Sequence, residues 1–186
     1  MTYYGGKELA AAFRTVRENT IKIAEDIPEN QYGFKPAPDT QSVAQTLAHI
    51  AVSAGFQSHV QKTKITDMKT VNFMELFQKF QADEQKPRTK AEMIAFLKEE
   101  GESFASFVEG LPESFLAEQV TMPPGVEPAT KSRFEMLLGV KEHEMHHRGQ
   151  LMTMERMIGL VPHLTKKMQE RMAARMASQQ TQEARP

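Results

Sequence analysis

The sequence predicts an all-α protein, a four-helix bundle with long crossover connections that is followed by a C-terminal amphipathic helix. Three capping boxes, at residues 42–45, 89–92 and 132–135, each pair a Ser or Thr with a Gln or Glu three residues later, as at helix starts. The apolar residues after each box recur at three- and four-residue steps, which is helical periodicity. We therefore expect a bundle over residues 1–162 and an amphipathic extension over residues 163–186 whose polar end frays.

Composition limits the classes of function. The 186 residues suit one domain, and a formal net charge of −1 provides no overall field that would attract nucleic acid or an anionic membrane. Cysteine is absent, which excludes thiolate metal ligands and a cysteine nucleophile. No apolar run approaches the ~18–20 residues that span a bilayer. We expect a cytoplasmic protein without nucleic-acid or membrane partners.

The first two helices are predicted over residues 7–26 and 42–62. Pro28 follows the first helix and ends it. On the second helix His49 shares one apolar stripe with Phe56 and Val60, while Leu47 and neighbouring apolar residues form another flank. A helix that is apolar on much of its circumference belongs in the centre of a bundle, so His49 should face inward.

The middle of the chain is predicted to hold one more long helix between two irregular segments. Residues 63–88 read as a long crossover with one short helix around Phe73 to Phe80. The third bundle helix covers residues 89–110, although Gly101 weakens it. Three prolines in residues 120–128 predict a loop there.

The fourth helix, over residues 132–158, carries three histidines. One arc of about 80° contains the residues of its apolar face, whereas His146 lies about 60–100° away on the flank. The residues on this face are Met136, Val140, His143, His147, Leu151, Met154 and Ile158. The apolar face therefore selects His143 and His147 as the inward pair and leaves His146 outside it.

After Pro162, apolar residues recur every four positions among lysines and arginines. They are Leu164, Met168, Met172 and Met176. This basic amphipathic helix is predicted to dock on its own bundle or on a second subunit. A membrane-surface or calmodulin-like role is the alternative, since methionine-rich stripes are adaptable.

Two inward histidines one turn apart need partners for their ring nitrogens, and a metal ion would supply one. With His49 also inward, we predict a divalent metal site formed by His49, His143 and His147. Three neutral imidazoles suit zinc, nickel or ferrous iron and leave coordination positions open, as in catalytic sites.

The same stretch matches a second metal motif. Residues 143–147, HEMHH, satisfy the H-E-x-x-H pattern of zinc metallopeptidases, with Glu144 in the place of the general base. The extended pattern fails, because Gln150 and Thr153 occupy its glycine and third-histidine positions. Glu155 and Glu170 are conceivable third ligands without further support, so we interpret the match as a coincidence.

Two segments carry a family resemblance: residues 35–50, KPAPDTQSVAQTLAHI, and residues 142–151, EHEMHHRGQL. With them the chain resembles the DinB-like superfamily of metalloenzymes, also called YfiT-like. The resemblance implies an up-down-down-up four-helix bundle, often dimeric, with a divalent metal held by His49, His143 and His147. Characterised relatives include mycothiol-dependent isomerases and transferases of bacillithiol or other small thiols. The chain departs from the family at Gln41, where a tryptophan is common, and in its methionine-rich extension.

The leading functional prediction is a metal-dependent enzyme acting on a small molecule, thiol transferase-like or hydrolase-like, in a homodimer. A non-enzymatic metal-binding stress or interaction protein is the alternative, and a zinc metallopeptidase is the third, less favoured hypothesis. No catalytic side chain is assigned. Glu144 and Arg148 flank the predicted ligands, and a solvated helix face is the expected place for both.

Overall fold

A computed structural model describes residues 4–183 and has an all-α architecture, as the sequence predicts. The helices are α1 Gly6–Asp26, α2 Val43–Lys62, α3 Phe73–Glu84, α4 Lys90–Glu109, α5 Glu113–Leu116, α6 Arg133–Met157 and α7 His163–Glu183. Single 3-10 turns lie at Glu29–Gln31 and Met68–Thr70. Two short strands, β1 Gln119–Thr121 and β2 Thr130–Ser132, complete the described chain. Residues 177–182, the polar end that is predicted to fray, belong to α7, and residues 184–186 lie outside the described residues.

All three predicted capping boxes are present and set the starts of α2, α4 and α6. The hydroxyls of Ser42, Thr89 and Ser132 each accept a hydrogen bond from the backbone N–H three residues later. The Gln or Glu at that third position accepts the backbone N–H of the capping residue in return. Local sequence alone therefore determines where three of the four bundle helices begin.

The four long helices α1, α2, α4 and α6 pack against one another and enclose the core. At one end of the bundle fully buried leucines and isoleucines of all four helices meet, among them Ile23, Leu47, Leu97 and Leu151. At the other end the core holds Leu9, Phe13, Phe104 and Leu137. Helix α3 packs on α2 outside this core.

The predicted loop at residues 120–128 is wrong at its first two residues. Val120 and Thr121 belong to β1, which pairs antiparallel with β2 in the register Val120 to Lys131. The three prolines all lie between the strands, so none removes a donor from the ladder. Val120 of β1 packs in a small core cluster with Val60 of α2 and Met136 of α6.

A buried ion pair crosses the centre of the bundle. Arg17 on α1 donates to both carboxylate oxygens of Glu144 on α6 at 2.9–3.1 Å and to the carbonyl oxygen of Leu97 at 2.7 Å. Gly101 on α4 makes room for this arginine, since a Cβ there would lie 2.7 Å from Arg17 Cγ. Gly101, which lowers the helix propensity of α4, is therefore needed so that Arg17 can pack against α4 and reach Glu144.

Helix α7 docks on the bundle only at its start. His163 Nε2 lies 3.0 Å from Asn19 Oδ1 on α1, whereas the side chains that follow point to solvent. Met168, Met172 and Met176 are 59–63% exposed. The prediction that this stripe docks on its own bundle is wrong, because these methionines are exposed. Docking on a second subunit stays a prediction.

No helix within residues 4–183 is both long enough and apolar enough to cross a membrane.

Glu155, near the end of α6, is buried, and neither carboxylate oxygen has a hydrogen-bond partner among the described residues. Burial, with a smaller contribution from Asp26, raises the pKa of this carboxyl to about 7. The folded state therefore prefers the protonated acid. The protonated Glu155 adds its full contribution to the free energy of unfolding below the pKa of the unfolded chain, and this contribution is lost as the pH rises through about 7.

The substitution Glu155→Gln is expected to raise the free energy of unfolding by roughly 1–3 kcal/mol at pH 8 and by much less at pH 5, because a neutral amide has no ionised form to bury. Urea unfolding at both pH values measures this difference. Glu142→Gln, on an exposed position of the same helix, is the control. An equal effect of Glu155→Gln at the two pH values would contradict the pKa shift.

Candidate metal centre

Three imidazoles meet where α2 crosses α6. His49 comes from the middle of α2, and His143 and His147 lie one turn apart on α6. Because α2 and α6 are in contact along the bundle, residues 94 positions apart in the chain become neighbours. The inward orientation predicted from the two apolar helix faces is thus the one observed.

The ring nitrogens converge on one point. His143 Nε2 lies 3.1 Å from His49 Nε2 and 3.1 Å from His147 Nε2. One nitrogen of each ring lies within 4.8 Å of the other two, so the group could hold a metal ion. Two imidazoles bound to one zinc ion at about 2.0–2.1 Å would have nitrogens about 3.3 Å apart in a tetrahedron. The observed spacing fits a first-row divalent ion.

The electrostatics favour neutral rings. Burial lowers the pKa of His143 to about 4, with further lowering from the adjacent His147 and His49. Burial also lowers the pKa of His147, whereas the hydrogen bond that its Nδ1–H donates to Gln150 Oε1 raises it. Neutral imidazoles keep a lone pair on one ring nitrogen at neutral pH, and that lone pair is what a metal ion binds.

Two polar side chains orient the rings from behind. His49 Nδ1 lies 3.2 Å from Glu84 Oε2 on α3, and His147 Nδ1 lies 2.7 Å from Gln150 Oε1. Both oxygens are acceptors, so each ring carries its proton on Nδ1 and directs the Nε2 lone pair toward the centre. Carboxylate or amide partners of this kind are typical of metal-binding histidines.

The third ring differs from the other two. The Nδ1 atom of His143 is buried and has no hydrogen-bond partner among residues 4–183. Its Nε2 atom is nevertheless the one that both neighbouring rings approach. His143 is therefore held by packing rather than by a polar partner, and it is the central member of the group.

His146 stays outside the group, as the helical wheel predicts. Its ring is exposed, and its Nε2 atom lies 3.2 Å from the side-chain nitrogen of Gln150. The sequence thus selects the correct two of three clustered histidines for the inward position. Metal coordination by His49, His143 and His147 stays a prediction.

The prediction that Glu144 lies on a solvated helix face is wrong. Its carboxylate is buried, and Arg17 holds both oxygens on the side of α6 that faces α1. A general base needs a free oxygen within reach of a nucleophile, and this carboxylate has neither the freedom nor the position. The geometry argues against the peptidase reading of HEMHH. Glu155 lies outside the histidine group, and Arg148 is partly exposed.

Glu84 is the site residue that sequence reasoning misses. It lies at the end of α3, in the segment interpreted only as a crossover with one short helix. No local pattern marks it, since its contact with His49 depends on how α3 packs on α2. Gln150 could have been found, because it follows His147 by three residues on the same helix face.

A cavity of about 400 Å³ opens beside the histidines, between α2, α3 and α6. His49 and His143 form part of its wall. A molecule of small-substrate size in this cavity would therefore contact the imidazole group directly.

Comparison with known proteins agrees with this architecture. The model of the DinB superfamily matches residues 12–151. No curated protein matches the chain. A DinB-like protein from Bacillus subtilis has a similar structure, with a TM-score of 0.62 and 23% identity over 82% of this chain and 92% of that one. A protein from Streptococcus pneumoniae is 18% identical, with 84% of this chain and 93% of that one covered, and also has a TM-score of 0.62. An uncharacterised protein from Clostridium difficile is 14% identical, with 84% of this chain and 98% of that one covered, and has the same TM-score.

Proposed function

Because this chain belongs to the DinB superfamily, we propose that it binds a divalent metal ion through His49, His143 and His147 and acts as a metal-dependent enzyme on small molecules. The single observation that carries the proposal is the convergence of three Nε2 atoms beside a cavity of about 400 Å³. Zinc, nickel and ferrous iron all suit three imidazole ligands.

Three protein ligands leave room for a further ligand, which is typical of catalytic rather than closed structural sites. When bound, the ion would supply Lewis-acid activation of a thiol or water nucleophile. Glu84 and Gln150 hold the His49 and His147 rings in the tautomer that ligation needs. The cavity wall would contact the second reactant beside the ion. Thiol transfer and hydrolysis both fit this arrangement.

Turnover of an electrophile tests the proposal. Metal-loaded protein is mixed with 1-chloro-2,4-dinitrobenzene and each cellular thiol in turn, and with 4-nitrophenyl acetate for attack by water. We expect a rate at least tenfold above background in one of these reactions, lost after treatment with EDTA and in His147→Ala and retained in His146→Ala. Rates equal to background in every reaction would overturn the enzymatic proposal.

A non-enzymatic interaction protein is the second candidate, and the exposed methionine stripe of α7 favours it. Replacing Met168, Met172 and Met176 together by glutamine in the full chain removes the apolar stripe and leaves the histidine group intact. Sedimentation then reports whether the stripe joins two copies. If self-association is lost and no turnover is found in either form, the interaction role is preferred.

A further inference from the structure

We propose that helix α3 is a lid over the cavity beside His49 and His143, and that a metal ion held by the three histidines closes this lid through Glu84. The inference rests on the metal-binding part of the proposed function and is independent of turnover. Three observations lead to it. Helix α3 forms one wall of the cavity, little buried surface holds it there, and Glu84 joins it directly to a predicted metal ligand.

Helix α3 separates part of the cavity from solvent. Phe77, Phe80, Gln81 and Glu84 form its side of the cavity, and most of the remaining lining comes from α2 and α6. Helices α2 and α6 belong to the four-helix bundle, whereas α3 packs on α2 outside the core. If α3 moved away from α2, this wall would be lost and the histidine group would face open solvent.

Little buried surface holds α3 on the bundle. None of its described side chains is buried, whereas each of the four bundle helices has buried side chains along its length. Phe80 packs edge to face on Phe56 of α2, with ring centroids 5.4 Å apart, but Met74 and Phe77 are 65% and 50% exposed. An element with so few buried apolar contacts opens locally at a small free-energy cost. We therefore expect α3 to undock more readily than the rest of the bundle.

One polar contact joins α3 to another helix. Among the described residues, the contact at 3.2 Å between Glu84 Oε2 and His49 Nδ1 is the one side-chain hydrogen bond or ion pair of this kind. The carboxylates of Glu75 and Asp83 have partners within five residues along the chain instead. Because Glu84 is the last residue of α3, its contact with His49 fastens the end of this helix to the middle of α2.

Metal binding at His49 would strengthen this contact. The Nδ1–H group of an imidazole is a better donor when Nε2 is bound to a cation, and its hydrogen bond to a carboxylate is then charge-assisted. The free energy of closing α3 and the free energy of binding the ion are therefore coupled, and the coupling acts equally in both directions. His147 provides a contrast, because its partner Gln150 lies on the same helix, so that ligation at His147 fastens no second element.

Hydrogen exchange of the full chain, measured by mass spectrometry with and without saturating zinc, tests the lid. In the unmodified protein we expect zinc to slow exchange of the amides in residues 73–84 about fivefold. Glu84→Ala should remove this slowing even at saturating zinc, and it should weaken zinc binding by about tenfold or more. Gln150→Ala should also weaken zinc binding but keep the slowing in α3. Glu75→Ala, the same change at an exposed position of the same helix, is the matched control and should alter neither.

Two results would overturn the lid: zinc bound to the unmodified protein without any change in the exchange of α3, or the full effect of zinc on α3 kept in Glu84→Ala. The second result would show that Glu84 only holds the helix in place and that zinc acts on α3 by another route. Circular dichroism checks that each variant is folded.

The same measurements separate this inference from the proposed function. No binding of zinc to the unmodified protein, measured by calorimetry, would contradict both the lid and the metal site. Zinc binding that leaves α3 unchanged would contradict only the lid. A lid that closes as expected in a protein without turnover would contradict only the enzymatic role.

Discussion

Zinc at a free concentration of 1,000 times its dissociation constant is expected to stabilise the protein by about 4 kcal/mol, a rise in Tm of roughly 10 °C. The reason is that the three imidazoles are brought together only in the folded chain. His143→Ala should remove most of this stabilisation, since His143 Nε2 is the nitrogen that both other rings approach at 3.1 Å. Thermal unfolding monitored by circular dichroism measures the shift.

The control for this prediction is His146→Ala, which removes an exposed histidine from the same helix. It should keep the full stabilisation by zinc. If His143→Ala and His146→Ala respond to zinc equally, the ion binds elsewhere on the protein and the assignment of the site is wrong.

Arg17→Met is expected to lower the free energy of unfolding by about 3–5 kcal/mol, because it leaves the Glu144 carboxylate buried without its cation. Arg17 also donates to the Leu97 carbonyl oxygen, so the substitution frees a second buried acceptor. Urea unfolding at neutral pH measures the loss.

The double variant Arg17→Met with Glu144→Leu should recover most of this stability, since no charge is then left in the core. A double variant as unstable as Arg17→Met alone would show that packing of the arginine, and not the ion pair, stabilises this part of the bundle. Retention of metal by the double variant would also confirm that Glu144 has no part in the metal centre.

Much of the fold follows from local signals in the chain. Capping boxes at Ser42, Thr89 and Ser132 identify helix starts without reference to any distant residue. The apolar faces of the second and fourth bundle helices then place His49 and the two inward histidines of α6. Periodicity is enough to predict which histidines face inward, because the apolar face of an amphipathic helix is defined by the sequence of that helix alone.

Other features depend on residues that are far apart in sequence and therefore escape such reasoning. Glu144 follows His143 directly, and nothing near it announces that Arg17, 127 residues earlier, will face it across the core. Glu84 reaches His49 only because a short helix in a polar crossover packs on α2. The hairpin escaped prediction because its prolines, at residues 123, 124 and 128, are confined to the connection between the strands.

The metal content of the purified protein, measured by plasma mass spectrometry, tests the central claim most directly. We predict about one divalent ion per chain in the unmodified protein and in His146→Ala, and a loss of at least tenfold in His49→Ala and in His147→Ala. Metal content unchanged by either of the last two substitutions would contradict the assignment of His49, His143 and His147 as the metal ligands.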